Sequence, residues 1–177
     1  MNIDHMRWIV AAAAIALLAA SGCTRRVPAA PAPPSTVGVG ECADPERDGV
    51  VSDAPDLIRA DRDLDGGGTD EILAADRALC GDEGNCHWNV FASAESGCLR
   101  YVGTIAAAAI ERLDSRGEDG FHDLRGWWQL AGEGRMLMQE YGFSHGGYRV
   151  IEALPCATDR GGRIVCGEDA QAERSDW

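Results

Sequence analysis

Residues 61–73 read DRDLDGGGTDEIL. Aspartate stands at 61, 63 and 65, three glycines follow, and Thr69, Asp70 and Glu71 lead into the apolar pair Ile72-Leu73. Carboxylates at alternate positions suit a hard divalent cation. Calcium takes six to eight oxygen ligands at about 2.3–2.6 Å, and a tight loop supplies them when alternate side chains point inward and a glycine permits the sharp turn. The same residues equally describe an acidic hairpin turn that needs no metal. Both readings stand at the level of sequence.

Two registers place the ligands differently. With Asp61, Asp63 and Asp65 at positions 1, 3 and 5 of an EF-hand, position 12 would have to be a bidentate Glu, and it is Ile72. An apolar run fit for a strand follows where that motif needs a helix, so this register is rejected. In the second register Asp63 is position 1, Asp65 is 3, Gly67 is 5, Gly68 is the turn glycine, and Glu71 is 9. So placed, DLDGGGTDEIL resembles the calcium loop of FG-GAP and VCBS repeats, the blade element of integrin-type β-propellers. The resemblance spans about a dozen residues. It implies a β-hairpin loop that binds calcium through Asp63, Asp65 and Glu71, with the Thr69 carbonyl as a further ligand. Gly67 departs from the pattern, which usually carries Asp or Asn there. Loss of one carboxylate implies weak binding, about 10⁻⁴–10⁻³ M, unless Asp61 or Asp70 substitutes. A whole propeller is excluded by length, because at least about four blades of four strands would be needed.

Other groupings carry less chemistry. Ser144, His122 and Asp123 can be written as a nucleophilic set, but no Gly-x-Ser-x-Gly elbow surrounds the serine, and FSHGGY reads as a hairpin turn. Among 29 acidic residues, any pair can be chosen for glycoside chemistry, so no pair is informative. There is no phosphate-binding loop and no dinucleotide fingerprint. Trp127-Trp128 could present a sugar platform. Neighbours in a strand face opposite ways, so only one of the two is expected outside the core.

The elements that must hold this loop begin after a distinctive N-terminus. Trp8 to Ala20 is apolar, too short to span a bilayer but suited to a secretory signal, and Ala20, Ser21 and Gly22 precede Cys23. This resembles a bacterial lipoprotein signal, with Ala20 where Leu is commonest. The resemblance implies cleavage after residue 22, lipidation of Cys23, and, with Thr24 rather than Asp following, an outer-membrane location. Residues 23–41 form a tether that holds four of the seven prolines. Residues 42–177 are expected to form one domain. All 16 basic residues are Arg, and the formal charge is −13. Such a surface repels nucleic acid. The expected partners are the membrane, through the lipid, and an envelope protein or glycan.

Six cysteines remain after Cys23, an even number that implies disulfides in an exported chain. Cys80 and Cys86 bracket a turn-rich loop, and Cys156 and Cys166 bracket another, which leaves Cys42 with Cys98. The main rival pairs Cys86 with Cys98. A zinc site at Cys80, Cys86 and His87 is the metal alternative.

The domain is expected to be mostly β, a single small antiparallel meander of blade-like strands stapled by disulfides. Six or seven short strands are expected. In 87–93, Trp88, Val90 and Ala92 should share one face, with Phe91 on the other. In 98–105, Leu99, Tyr101 and Ile105 should share a face. In 135–143, Leu137, Tyr141 and Phe143 oppose Met136 and Met138. In 148–156, Tyr148, Val150 and Leu154 should align. Residues 106–114 read as a further strand or a bend, and 54–60 as a short helix. The function expected is a non-enzymatic, calcium-capable binding or structural module of the envelope. The alternatives are an envelope hydrolase acting on cell-wall or glycan material and an accessory or inhibitor lipoprotein. The last would present a protruding loop such as 81–85, 115–120 or 157–163.

Overall fold

The computed structural model describes residues 37–94, 96–131, 134–167 and 170. The signal-like segment, Cys23 and the tether as far as residue 36 lie outside the described residues. Among the described residues nine strands run in chain order: β1 Leu57–Arg62, β2 Glu71–Asp76, β3 Cys86–Ser93, β4 Leu99–Ala107, β5 Ala109–Arg116, β6 His122–Gln129, β7 Arg135–Ser144, β8 Gly147–Thr158 and β9 Ile164–Cys166. Each pairs antiparallel with its sequence neighbours to give two meanders, β1 to β4 and β5 to β9. The chain changes sheet at Ala108, whose amide already bonds Trp127 O of the second sheet at 2.7 Å. The segment expected as a strand or a bend is thus both.

The two sheets face each other across one core. Leu73, Val90, Val102 and Ile105 from the first sheet meet Leu124, Tyr141, Phe143 and Tyr148 from the second, with Leu64 and Phe121 from loops. Phe121 stacks on Phe143 at 4.0 Å between ring centroids, and Tyr148 meets Phe143 edge-on at 5.1 Å. Each sheet also has a smaller outer cluster closed by a cysteine-held segment. On the first sheet Phe91, Tyr101 and Ile72 lie under Val37 and Ala43. On the second, Met136 and Met138 pack with Cys156 and Cys166. Residues 37–43, most of which the sequence assigns to the tether, therefore dock on β4: Gly40 N bonds Tyr101 O and Ala43 N bonds Leu99 O, both at 2.8 Å.

Among the described residues three cysteine pairs stand at disulfide distance: Cys42 with Cys98, Cys80 with Cys86, and Cys156 with Cys166, with Cα separations of 5.8, 4.4 and 4.0 Å. With Cys80 and Cys86 bonded to each other, the zinc alternative has no thiolates to use.

β3 and β7 alternate as the sequence suggests, but two other faces do not hold. Val90 pairs with Gly103 and Phe91 with Tyr101, so Val102 is an extra residue, a β-bulge, and Gly103 next to it has φ +130°. The bulge reverses the alternation. Leu99 and Tyr101 join the outer cluster while Ile105 joins the central core. In β8, Glu152 pairs with Glu140 and Val150 with Tyr141, so Ile151 is extra. Tyr148 then faces the central core and Leu154 the outer cluster, and Val150 stays exposed. The helix expected over 54–60 is instead the start of β1, an edge strand with half-exposed side chains that blur its period.

Candidate metal loop

Asp63 to Asp70 is the loop of the β1–β2 hairpin, closed by the pair Arg62 and Glu71. Leu64 anchors it. Its side chain is 2% exposed in the central core, while its neighbours Asp63 and Asp65 are half-buried. Each aspartate folds the loop locally: Asp63 Oδ1 accepts Gly66 N at 2.7 Å and Asp65 Oδ1 accepts Gly67 N at 2.6 Å. Gly68, the expected turn residue, has φ +78°, a conformation that suits glycine.

Glu71 closes the site from below. It is 3% exposed, and its Oε2 accepts the Leu64 amide at 2.7 Å. One carboxylate oxygen each from Asp63, Asp65 and Glu71 lies within 4.8 Å of the other two. Burial pushes the Glu71 carboxyl above the usual glutamate range. The Leu64 amide opposes that, and the carboxylates of Asp65 and Asp63 reinforce it.

The second sheet holds the other side of the loop. Arg112 Nη1 donates to Asp63 O at 2.7 Å, His122 N to Leu64 O at 2.6 Å, and Arg116 Nη1 to Asp65 O at 2.8 Å. Arg116 also donates to Gly120 O. Three consecutive carbonyls are thus fixed from β5 and β6, and the three carboxylates of Asp63, Asp65 and Glu71 converge in the same loop. A set of hard, anionic oxygens with no nitrogen or sulfur donor fits calcium.

Of the residues expected at the site, Asp63, Asp65 and Glu71 come together. Asp61 stands apart, its carboxylate on Arg59 Nε at 2.6 Å. Thr69 is exposed in the loop, and Gly67 contributes no side chain. A Cβ built at 67 would lie 2.8 Å from Asp65 Oδ1, a flexible end that can move. Arg112 and Arg116 had no sequence signal. Their role appears only once β5 is laid against a loop about fifty residues earlier.

Both histidines weighed for catalysis are hydrogen-bonded through their main chains, and His122 is also held through its ring. His122 is buried with Nδ1 donating to Leu113 O at 2.6 Å, and its own carbonyl accepts the Tyr148 hydroxyl at 3.0 Å. His145 sits at the tip of the β7–β8 hairpin with φ +53°, its amide on Glu118 Oε2 at 2.7 Å. Both tryptophans of the 127–128 pair are half-buried. Trp127 packs with the outer Met cluster beneath Arg125, and Trp128 lies 5.2 Å from the His87 ring. Asp76, which the sequence did not single out, anchors residues 52–56: it accepts Ser52 N at 2.6 Å and Asp56 N at 3.0 Å.

No family model, no curated protein and no solved structure matches this chain.

Proposed function

We propose that this chain is a calcium-stabilised β module of the cell envelope, acting by binding or structural support and carried on a lipid at Cys23. One observation carries the calcium reading: the buried carboxylate of Glu71 faces Asp63 and Asp65 across a hairpin loop, with ligand oxygens within 4.8 Å of one another. Three carboxylates gathered this closely repel one another, and a divalent cation removes that cost. The hairpin setting agrees with the FG-GAP-type register, with Asp63, Asp65, Thr69 and Glu71 at positions 1, 3, 7 and 9. Asp61, bound to Arg59, is outside the proposed set.

The envelope location rests on the signal-like N-terminus ending at Cys23 and on the pairing of the six other cysteines, which suits an oxidising compartment. An outer-membrane anchor facing an envelope protein or glycan is the corresponding placement. A non-catalytic role for His122 is supported by its ring, which is buried and held on Leu113 O.

The test is thermal unfolding of the oxidised protein in chelator and in millimolar calcium, with Asp63→Ala and Glu71→Ala beside the parent. A ligand that binds only the folded state adds about 1.4 kcal/mol at ten times its Kd. The expected result is a rise in midpoint for the parent that is lost in both variants. An unchanged parent midpoint would leave the loop as a metal-free turn. For the anchor, Cys23→Ala should release the protein from the membrane fraction of cells.

A further inference from the structure

The central core does not close on every side. Its three half-buried members, Ala60, Trp88 and Ile110, all line one cleft of about 200 Å³ between β1–β3 and the β5 edge of the second sheet. The buried side chains of Leu64, Leu73 and Leu124 form its floor. The exposed Arg62 of β1 and Arg112 of β5 stand at its rim, and among the described residues no acidic one lines it.

That charge pattern runs against the rest of the chain, which has 29 acids, 16 arginines and a formal charge of −13. Among the described residues neither guanidinium meets a carboxylate. Each is positioned by one bond to a backbone carbonyl, Arg62 to Asp61 O and Arg112 to Asp63 O, both at 2.7 Å. A guanidinium has five N–H donors, so each keeps most of its fork for an anion. The indole N–H of Trp88 is already given to Ala107 O at 3.2 Å, which fixes the ring and leaves an apolar wall.

We propose that this cleft binds a small carboxylic acid with an apolar body. An apolar cavity of about 150 Å³ holds a benzene ring, so this cleft takes a ring and a short chain, roughly ten heavy atoms. The body lies on Leu64, Leu73, Ile110 and the face of Trp88, and the carboxylate sits at Arg62 and Arg112. The proposal does not depend on calcium, although Leu64 and Arg112 belong to both sites.

The test titrates 3-phenylpropionate into the oxidised protein, in chelator and again in calcium. Binding is read by calorimetry and by the NMR signal of the Trp88 indole N–H. The expected result is saturable binding that shifts this signal and is at least about fivefold tighter than that of 3-phenylpropan-1-ol, which lacks the charge. Arg62→Gln, which leaves the Arg112 contact to the loop intact, should weaken the acid about three- to tenfold and leave the alcohol unchanged. Ile110→Trp should fill the cleft and block both. An acid that binds no tighter than the alcohol, an unmoved Trp88 signal, or an Arg62→Gln protein that binds like the parent would each overturn the proposal. A calcium effect that fails while the acid still binds in chelator counts against the metal loop alone.

Discussion

The carboxylate of Glu71 receives the backbone amide of Leu64 at 2.7 Å, so the first residue of β2 grips the loop that precedes it. One residue therefore serves two ends. It satisfies a buried amide, and it offers its remaining lone pairs toward Asp63 and Asp65.

That double role gives Glu71→Gln opposite effects in two solutions. Without calcium, a raised folded-state pKa means that the folded form holds its proton longer than the unfolded chain. Stability then falls as pH climbs from the ordinary glutamate range through the raised value. The glutamine variant loses that slope and gains a few degrees of midpoint at neutral pH. In calcium the ionised form is the ligand, so the same substitution lowers the midpoint. Calorimetric midpoints in chelator and in calcium, from about pH 4 to pH 8, check both signs.

Gly67→Asp should strengthen calcium binding. Gly67 occupies the vacant fifth position of the register, and unlike Gly66 and Gly68 it does not have a positive φ. A fourth carboxylate is expected to tighten Kd about tenfold, which equals about 1.4 kcal/mol. Calcium titration by calorimetry measures it, and an unchanged Kd would contradict the proposed register.

Acid should unfold the protein partly through Asp76. Burial alone would raise this carboxyl, but the amides of Ser52, Asp56 and Ala78 outweigh it and hold the pKa down to about 2. A depressed folded value means stability present above the ordinary aspartate range and lost as pH falls toward 2. Asp76→Ala strands three backbone amides and should cost about 2–4 kcal/mol at neutral pH. Its denaturation curve should show a smaller loss of stability on acidification than the parent's.

Gln139 offers an easy gain. It is fully buried in β7, and among the described residues neither its Oε1 nor its Nε2 has a hydrogen-bond partner. Gln139→Met keeps the volume and removes the stranded dipoles, with an expected gain of about 1–2 kcal/mol in urea unfolding.

The disulfides should differ in worth. Cys42 and Cys98 are 56 residues apart, Cys80 and Cys86 only 6. By loop-closure entropy, replacing the first pair with alanine costs about 4 kcal/mol and the second about 2 kcal/mol. Equilibrium unfolding of the two double variants tests that order.

Much of the architecture was legible in local patterns. Alternation in β3 put Val90 and Phe91 on opposite faces, and the structure places them in different clusters. Turn residues marked the β7–β8 hairpin at His145 and Gly146, both with positive φ. Alternation cannot announce a bulge, because one unpaired residue, Val102 or Ile151, reverses every later side chain without changing composition. Residues 54–60 suggest a short helix in sequence because the half-exposed edge strand β1, which begins at Leu57, has little alternation to show. At the loop, the carboxylates were visible as local spacing. Arg112 and Arg116 were not, since their contacts depend on how one sheet lands on the other.

The Cys42–Cys98 bond also sets how the domain would carry a pull. Tension arriving from the segment before Cys42 crosses the sulfur bridge to Cys98, then follows β4 directly into β5 and the second sheet. Residues 43–97, with β1, β2, β3 and the acidic loop, form a closed covalent ring beside that route. Force on the chain end would strain the core between the sheets, and with it the bonds by which Arg112, His122 and Arg116 of the second sheet hold the loop carbonyls of residues 63–65.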